Sequence, residues 1–389
     1  MSFKAIRKVV KDSSFENVKK IFSESYKNIR IRELKSKPDL YLLTVYDDTA
    51  ETDYDDICTE ANGLILEKNT NKIISVCQPR MKQFIEEDPT DQYNYLTELG
   101  QIYKQVSAEF LEDGTVVRLY NYDGEWTTAT SKCIDANFSY WSSKKTFNQM
   151  FFEVMDKKEL KLLDENYTYF FILNHVENRI VIKHTLSHLV FSCRIHNESF
   201  LIDKDFSCVE HVSKAIPAKV FDIDDYFKEE EIVSLEEYSN ESFRGLVFMF
   251  GSSSSGDYCI VNYDFFHYNV VKYARGNTQN INLRCLELLL AEDYYNLNIL
   301  CDQFSQAKVV SQFVHQCLDN LIEEIYVLYL DTHVKHKFKI TEENRLFRTL
   351  KQLHGQYKKF EIPIQKSDVQ IKIMGYNPRL VAKLLGWVA

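Results

Sequence analysis

The sequence predicts an α+β fold in which an antiparallel-sheet domain is followed by an all-helical C-terminal domain. From Tyr41 to the neighbourhood of Val270, short β-branched and aromatic runs alternate with turn signals, the texture of hairpin-rich sheet. Past Asn277, apolar residues return at intervals of three and four instead, the period of a helix with one buried stripe. A chain of 389 residues is long enough for two domains, each with its own core. The change of texture puts the seam near Arg275-Gly-Asn, giving domains 1–275 and 276–389.

In chain order, residues 3–36 carry apolar positions at helical spacing, Phe3/Ile6/Val9/Val10 and then Phe15/Val18/Ile21/Phe22, interrupted by Lys37-Pro38. Two short helices are expected there. The strand candidates are Leu64-Ile-Leu, Lys72-Ile-Ile-Ser-Val, Thr115-Val-Val-Arg-Leu-Tyr, Thr168-Tyr-Phe-Phe-Ile-Leu, Arg179-Ile-Val-Ile and Gly245-Leu-Val-Phe-Met-Phe. Lys68-Asn-Thr-Asn, Glu112-Asp-Gly, Tyr122-Asp-Gly and Gly251-Ser-Ser-Ser-Ser-Gly punctuate them. In the second half, Val310, Phe313, Val314, Cys317, Leu321, Ile325 and Leu328 lay one stripe along a helix of several turns. Leu283–Leu290, Leu346–Leu353 and Leu380–Leu385 add shorter helices.

Composition excludes some classes of function. The formal charge of −10 opposes a protein that coats nucleic acid by bulk attraction. Local patches remain: Lys4, Arg7, Lys8, Lys11, Lys19, Lys20, Lys27, Arg30 and Arg32 near the start, and Lys335, Lys337, Lys339, Arg345, Arg348, Lys351, Lys358 and Lys359 late in the chain. They are candidates for RNA contact, with solvated helix faces as the alternative. Nine scattered cysteines lack the spacing of a disulfide framework, and no apolar run approaches the length of a membrane span. The expectation is a cytoplasmic or nuclear protein, not secreted, with no membrane partner. No phosphate-loop, nucleophile-elbow or zincin motif is present.

Two Cys-x-x-His pairs, Cys193/His196 and Cys208/His211, have spacing that a tetrahedral zinc could use. The alternative is a core cysteine and a turn histidine. His184 and His188 lie four apart in a strand-like stretch and read as surface or core histidines rather than ligands. Aromatic residues around Tyr263–Tyr273 could stack bases, but core packing is the favoured reading.

A longer pattern runs from residue 60 to residue 248: Glu60-Ala-Asn-Gly-Leu-Ile-Leu-Glu, Lys72-Ile-Ile-Ser-Val, Gln78-Pro-Arg-Met-Lys-Gln-Phe, Glu112-Asp-Gly-Thr, Tyr122-Asp-Gly-Glu-Trp, Ala129-Thr-Ser-Lys-Cys-Ile-Asp-Ala, Asn174-His-Val-Glu-Asn-Arg-Ile-Val and Arg244-Gly-Leu-Val-Phe. In order and rough spacing this resembles the RNA ligases of the phage T4 type. The resemblance implies an antiparallel-sheet nucleotidyltransferase (ATP-grasp-like ligase) domain with a helical N-terminal segment, and an origin in a large DNA virus or phage.

In that family a lysine amine in a Lys-x-Asp-Gly turn attacks the α-phosphate of ATP. The nucleotide then passes to an RNA 5′-phosphate, with carboxylate-held metal and flanking cations around the phosphorus. Carried over position by position, the attacking lysine falls on Leu111, two metal-side glutamates on Ile172 and Arg244, the paired lysines of a late strand on Cys259 and Val261, and an arginine on Asn62. Lys82, Asp113, Gly114, Asn178 and Arg179 match the pattern, and Lys132 and Arg244 are cations a phosphate or nucleotide could meet. The expectation is therefore a pseudoligase with no catalytic residues and no cofactor, reused to bind RNA or a protein partner. Its alternatives are an active RNA ligase using ATP, Mg and a non-standard lysine, for which Lys104 and Lys132 are the candidates although neither is followed by x-Asp-Gly, and a structural or assembly protein with a vestigial cleft.

Overall fold

The run from Leu40 to Val45 has no polar face, and the fold buries both of its sides. In the computed structural model, which describes residues 3–46, 56–77, 82–83, 95–96, 98–100, 102, 105–141, 143–204, 206, 209, 212–214, 237, 242–251 and 258–387, this run belongs to strand β2 (Lys37–Val45). With β1 (Ile29–Leu34), β3 (Leu64–Glu67) and β4 (Ile73–Ser75) it forms an antiparallel sheet in the order β1-β2-β3-β4. Successive strand side chains point to opposite faces. Tyr41, Leu43 and Val45 accordingly pack with Phe3, which precedes α1 (Lys4–Val10), with Ile6 of α1, and with Val18 and Phe22 of α2 (Phe15–Ser25). Leu40 and Leu42 pack with Tyr120, Ala129 and Ile134 on the other side.

The two expected N-terminal helices are present, and Ser14 caps the second by accepting from the Asn17 N–H. The helical region ends sooner than the spacing predicts, however. Ile29 and Ile31 alternate with Arg30 and Arg32, a period of two, and pair with Val45 and Leu43 as a strand.

A second sheet has the order β11-β10-β9-β7-β8, built from β7 (Thr115–Tyr122), β8 (Glu125–Ala129), β9 (Tyr167–Asn174), β10 (His188–His196) and β11 (Ile202–Asp203), with β12 (Ser213–Lys214) parallel to β10. Its core side packs Phe171, Phe191 and Phe206 together with Met150 and Phe151 of a short helix, α4 (Phe147–Val154), which follows α3 (Asp56–Ala61) in the chain. The third sheet, β5-β14-β13-β6, uses β5 (Lys82–Gln83), β6 (Gln105–Leu111), β13 (Gly245–Gly251) and β14 (Tyr258–Asp264). Mixed α/β architecture with antiparallel sheets and many helices is thus the fold class of the chain.

One expected strand does not form. Residues 175–187, which include Arg179-Ile-Val-Ile, are a loop, because the N–H groups of Val181 and Ile182 are taken by a carboxylate rather than by a neighbouring strand.

The backbone divides into two compact units, Met1–Tyr268 and Asn269–Ala389, so the division falls within α5 (Phe266–Arg275). The second unit contains α6 (Ile281–Leu290), α7 (Tyr294–Gln303), α8 (Ser305–Tyr329), α9 (Phe347–Phe360), α10 (Lys366–Met374) and α11 (Pro378–Leu384). Along α8 the buried stripe is Ala307, Val314, Leu318, Leu321, Ile322, Ile325 and Tyr329. Phe313, expected in that stripe, is exposed and stacks on Trp387 with ring centroids 6.1 Å apart. Among the described residues no helix is long and apolar enough to cross a membrane.

Candidate functional site

Three residues carry the chain from the third sheet to the second: Leu111 ends β6, Glu112-Asp113-Gly114 turns, and Thr115 starts β7. Gly114 is required by close approach. A Cβ there would lie 2.1 Å from Asn174 Oδ1 and 2.7 Å from Ile172 Cγ2, inside van der Waals contact. Ile172, on β9 between Val116 and Val190, therefore packs directly on the turn.

Asp113 is 2% exposed, yet its carboxylate is well served. Oδ2 accepts from the N–H groups of Val181 at 2.8 Å and Ile182 at 2.7 Å, and Oδ1 accepts from the Tyr268 hydroxyl at 2.7 Å. A buried carboxylate needs such donors to stay buried. Burial and the neighbouring Asp113 both push the Tyr268 phenol up, so it remains a donor. Arg179 Nε donates to the Val181 carbonyl at 2.8 Å and closes the loop around the carboxylate.

Arg244 joins the same cluster. Its N–H donates to the Leu111 carbonyl at 2.8 Å, while its guanidinium grips Asp264 through Nε–Oδ1 at 2.6 Å and Nη2–Oδ2 at 3.1 Å and lies 5.5 Å from the centroid of the Tyr268 ring. Leu111, Asp113, Gly114, Ile172, Arg179 and Arg244 thus adjoin one turn.

Register places the late-strand positions elsewhere. Leu111, Gly245 and Asp264 lie opposite one another across β6, β13 and β14, and so share one face of the sheet. Val261 pairs with Phe248, three positions along, and so faces the other side, where it is fully buried. Cys259, paired with Phe250, holds the same parity. By register Cys259 and Val261 therefore do not share the strand face of Leu111; the β14 positions on that face include Ile260, Asn262 and Asp264. The strand Tyr258–Asp264 contains no lysine or arginine at either parity.

Lys132 lies in an exposed turn after β8, where its carbonyl accepts from Arg32 and the adjoining Ser131 packs against Gly63. Lys82 pairs with Val261 in β5, and its side chain lies outside the described residues, as does Lys104.

The zinc reading is not assembled by Cys193 and His196. Cys193 is buried in the core that Phe3 and Ile6 share, and burial pushes its thiol up to about 12. His196 uses Nδ1 to accept from the N–H groups of Glu198 and Ser199 in a turn. Core packing and turn capping claim these two side chains separately. Cys208 and His211 lie outside the described residues.

Glu112 converges instead with His184 and His188, the two histidines whose spacing favours surface or core positions over ligands. Single ligand atoms of Glu112, His184 and His188 all lie within 4.8 Å of one another. Burial pushes the Glu112 carboxyl up, against the pull of His188, His184 and the Asn174 amide. Even spacing of the two histidines was visible in the sequence; their meeting with Glu112 was not, since the loop that carries His184 is shaped by Asp113. Lys204 was also missed. Its ammonium pairs with Glu109, which shares a strand face with Leu111 two residues on.

No family model matches the chain. An immediate-early protein ICP-46 homolog of Invertebrate iridescent virus 3 is 23% identical over 295 residues, covering 74% of this chain and 63% of that protein. The chain therefore spans less than two thirds of the length of the curated relative it matches. Among solved structures, a putative ATP-dependent DNA ligase from Aquifex aeolicus superposes with a TM-score of 0.47 at 14% identity, covering 80% of this chain and 81% of that one. An archaeal ATP-dependent RNA ligase gives 0.47 at 10% identity with 83% of each chain covered. A mutant RNA ligase from Naegleria gruberi gives 0.34 at 13% identity, covering 60% and 74%.

Proposed function

We propose that this chain is an RNA-ligase-like nucleotidyltransferase that has lost nucleotidyl transfer and serves as an RNA-binding protein. The observation that carries the reading is Leu111: a side chain without nitrogen, 7% exposed, at the strand-to-turn position before Glu-Asp-Gly where the resemblance puts the attacking amine. Three further features support it. Asp113 is engaged by two backbone N–H groups and a phenol. Arg244 stands where a metal-side carboxylate is expected and is neutralised by Asp264. No residue of β14 is cationic.

RNA is favoured over a protein partner by the first basic stretch. Lys4, Arg7, Lys8, Lys11, Lys20, Lys27, Arg30 and Arg32 are all exposed. Lys19 of this stretch pairs with Glu16 and Glu33; in the late stretch Lys335 and Lys337 pair with Asp331 and Arg345 with Glu324, while Lys339, Arg348, Lys351, Lys358 and Lys359 are exposed and offer a second basic surface.

Two measurements test this. RNA binding to the whole chain as a function of salt is expected to weaken steadily with rising ionic strength. Absence of binding even at low salt would favour a protein partner. Incubation with labelled ATP and a divalent metal, followed by a denaturing gel, is expected to leave the chain unlabelled.

A second reading, an active ligase with a displaced nucleophile, has one observation in its favour, the Lys204 amine beside Glu109 on the Leu111 face. It requires a covalent adduct in the same gel that Lys204→Met abolishes. An ammonium held by a carboxylate is a poor nucleophile, which is why we rank this reading second.

A further inference from the structure

We propose that Glu112, His184 and His188 form a binding site for a divalent transition-metal ion of zinc type. The inference is independent of the ligase reading, since it uses no residue's role in nucleotidyl transfer. Two imidazoles and one carboxylate are a donor set that suits Zn²⁺ or Co²⁺ and disfavours Mg²⁺, which prefers oxygen ligands and retains its waters.

The geometry is near what such an ion requires. Bonds of about 2.0–2.2 Å in a tetrahedron place ligand atoms about 3.3–3.6 Å apart. Glu112 Oε2 and His188 Nε2 are 4.0 Å apart, too far for a hydrogen bond, and all three ligand atoms fall within 4.8 Å.

Hydrogen bonding prepares both rings. His184 Nε2 lies 2.8 Å from the Asp113 carbonyl and His188 Nδ1 lies 3.3 Å from the Leu186 carbonyl. A carbonyl only accepts, so each of those ring nitrogens carries the proton and the other nitrogen carries a lone pair. Metal-bound histidines are oriented in this way, one N–H given to a backbone carbonyl and one lone pair to the ion.

Asn174 supplies a second, independent observation. It is 1% exposed, and its amide nitrogen faces the cluster, 3.1 Å from Glu112 Oε2 and 3.0 Å from His188 Nε2. Its Oδ1 is buried with no hydrogen-bond partner. A buried oxygen without a partner is destabilising. Turning the carboxamide over would point this oxygen at the Glu112 carboxylate and the His188 lone pair. Three acceptors facing one another are stabilised by a cation held between them, so the same residue can serve the site with and without an ion. Side-chain exposures of 34% for His188 and 15% for Glu112 leave the ion a path from solvent.

The test uses the full chain, treated with chelator and then titrated with Co²⁺, whose visible bands report ligand type. One equivalent is expected to bind with nitrogen/oxygen-type bands and without a thiolate charge-transfer band, and Zn²⁺ should displace it. Glu112→Gln preserves shape and the Asn174 hydrogen bond. It should weaken Co²⁺ binding at least about tenfold, and His188→Ala by about a hundredfold, while Asn174→Ala, beside the ligands, should cost about tenfold. Circular dichroism of each variant identifies any that does not fold, and Glu112→Gln is expected to retain the wild-type spectrum. Failure of the wild-type chain to take up a stoichiometric ion would overturn the proposal. So would thiolate-type bands, or unchanged affinity in folded Glu112→Gln.

Discussion

Leu111 and its neighbours decide the chemistry one side chain at a time. On the proposed reading an apolar strand end cannot attack phosphorus, and beside it Asp113 accepts from Val181, Ile182 and Tyr268. A single Leu111→Lys change restores an amine but no cation on β14 and no carboxylate at Ile172. The variant is expected to form no nucleotidyl adduct with labelled ATP; a labelled band in a denaturing gel would contradict the account of a wholly altered pocket. Tyr268→Phe deletes one of three donors to a buried carboxylate. Hydrogen bonds to charged groups contribute about 1.5–3 kcal/mol, so denaturant unfolding should show a loss in that range with little change in m-value.

At the scale of elements, the pair Arg244–Asp264 joins the start of β13 to the end of β14, with side-chain exposures of 17% and 8%. Removing one partner leaves a buried charge without its counterion. Arg244→Met alone should destabilise the protein by about 3–5 kcal/mol, whereas the double change Arg244→Met/Asp264→Leu should recover much of that loss. Equal losses in the single and double variants, measured by urea unfolding, would show that the pair is not coupled. The turn after β6 is as demanding. Gly114→Ala places a methyl against Asn174 Oδ1, Ile172 and the Leu173 carbonyl, and overpacking of this kind costs about 1–3 kcal/mol or more. A thermal midpoint unchanged from wild type would mean that the turn is free to shift.

Over the whole molecule, ionisable groups held neutral by burial set the response to base. Burial pushes the thiols of Cys77, Cys193 and Cys285 up to about 12, and Tyr122 to about 12 as well. It raises the phenols of Tyr41 and Tyr120 further. A group whose folded pKa is raised contributes stability that is complete below its unfolded pKa and is lost as pH climbs toward the folded value. With unfolded values of about 8.5 for thiols and about 10 for phenols, stability should be flat to roughly pH 8 and fall steadily through pH 9–12. Arg118 runs the other way. Burial lowers it to about 10, so its charge is lost more readily in the fold and stability gains as pH rises past that point. One such group does not offset six. Urea midpoints measured across this range, with phenolate absorbance to follow exposure, check the sign.

Periodicity alone determined much of this protein. The apolar runs of β7, β9 and β13, the stripe of α8, the change from sheet to helix and the lack of nitrogen at residue 111 are local properties of the chain, legible from composition and spacing within one element. Tertiary structure decided the rest. Arg179–Ile182 has the composition of a strand, but Asp113 captures two of its N–H groups and holds it as a loop. Val261 has an apolar identity compatible with either sheet face, and only the register across β13 assigns it to the side away from Leu111. Glu112 stands far along the sequence from His184 and His188 and meets them because that captured loop returns His184 and β10 to the turn. Spacing along a chain records which residues share an element; which elements share a site depends on long-range hydrogen bonds, and those have no period to read.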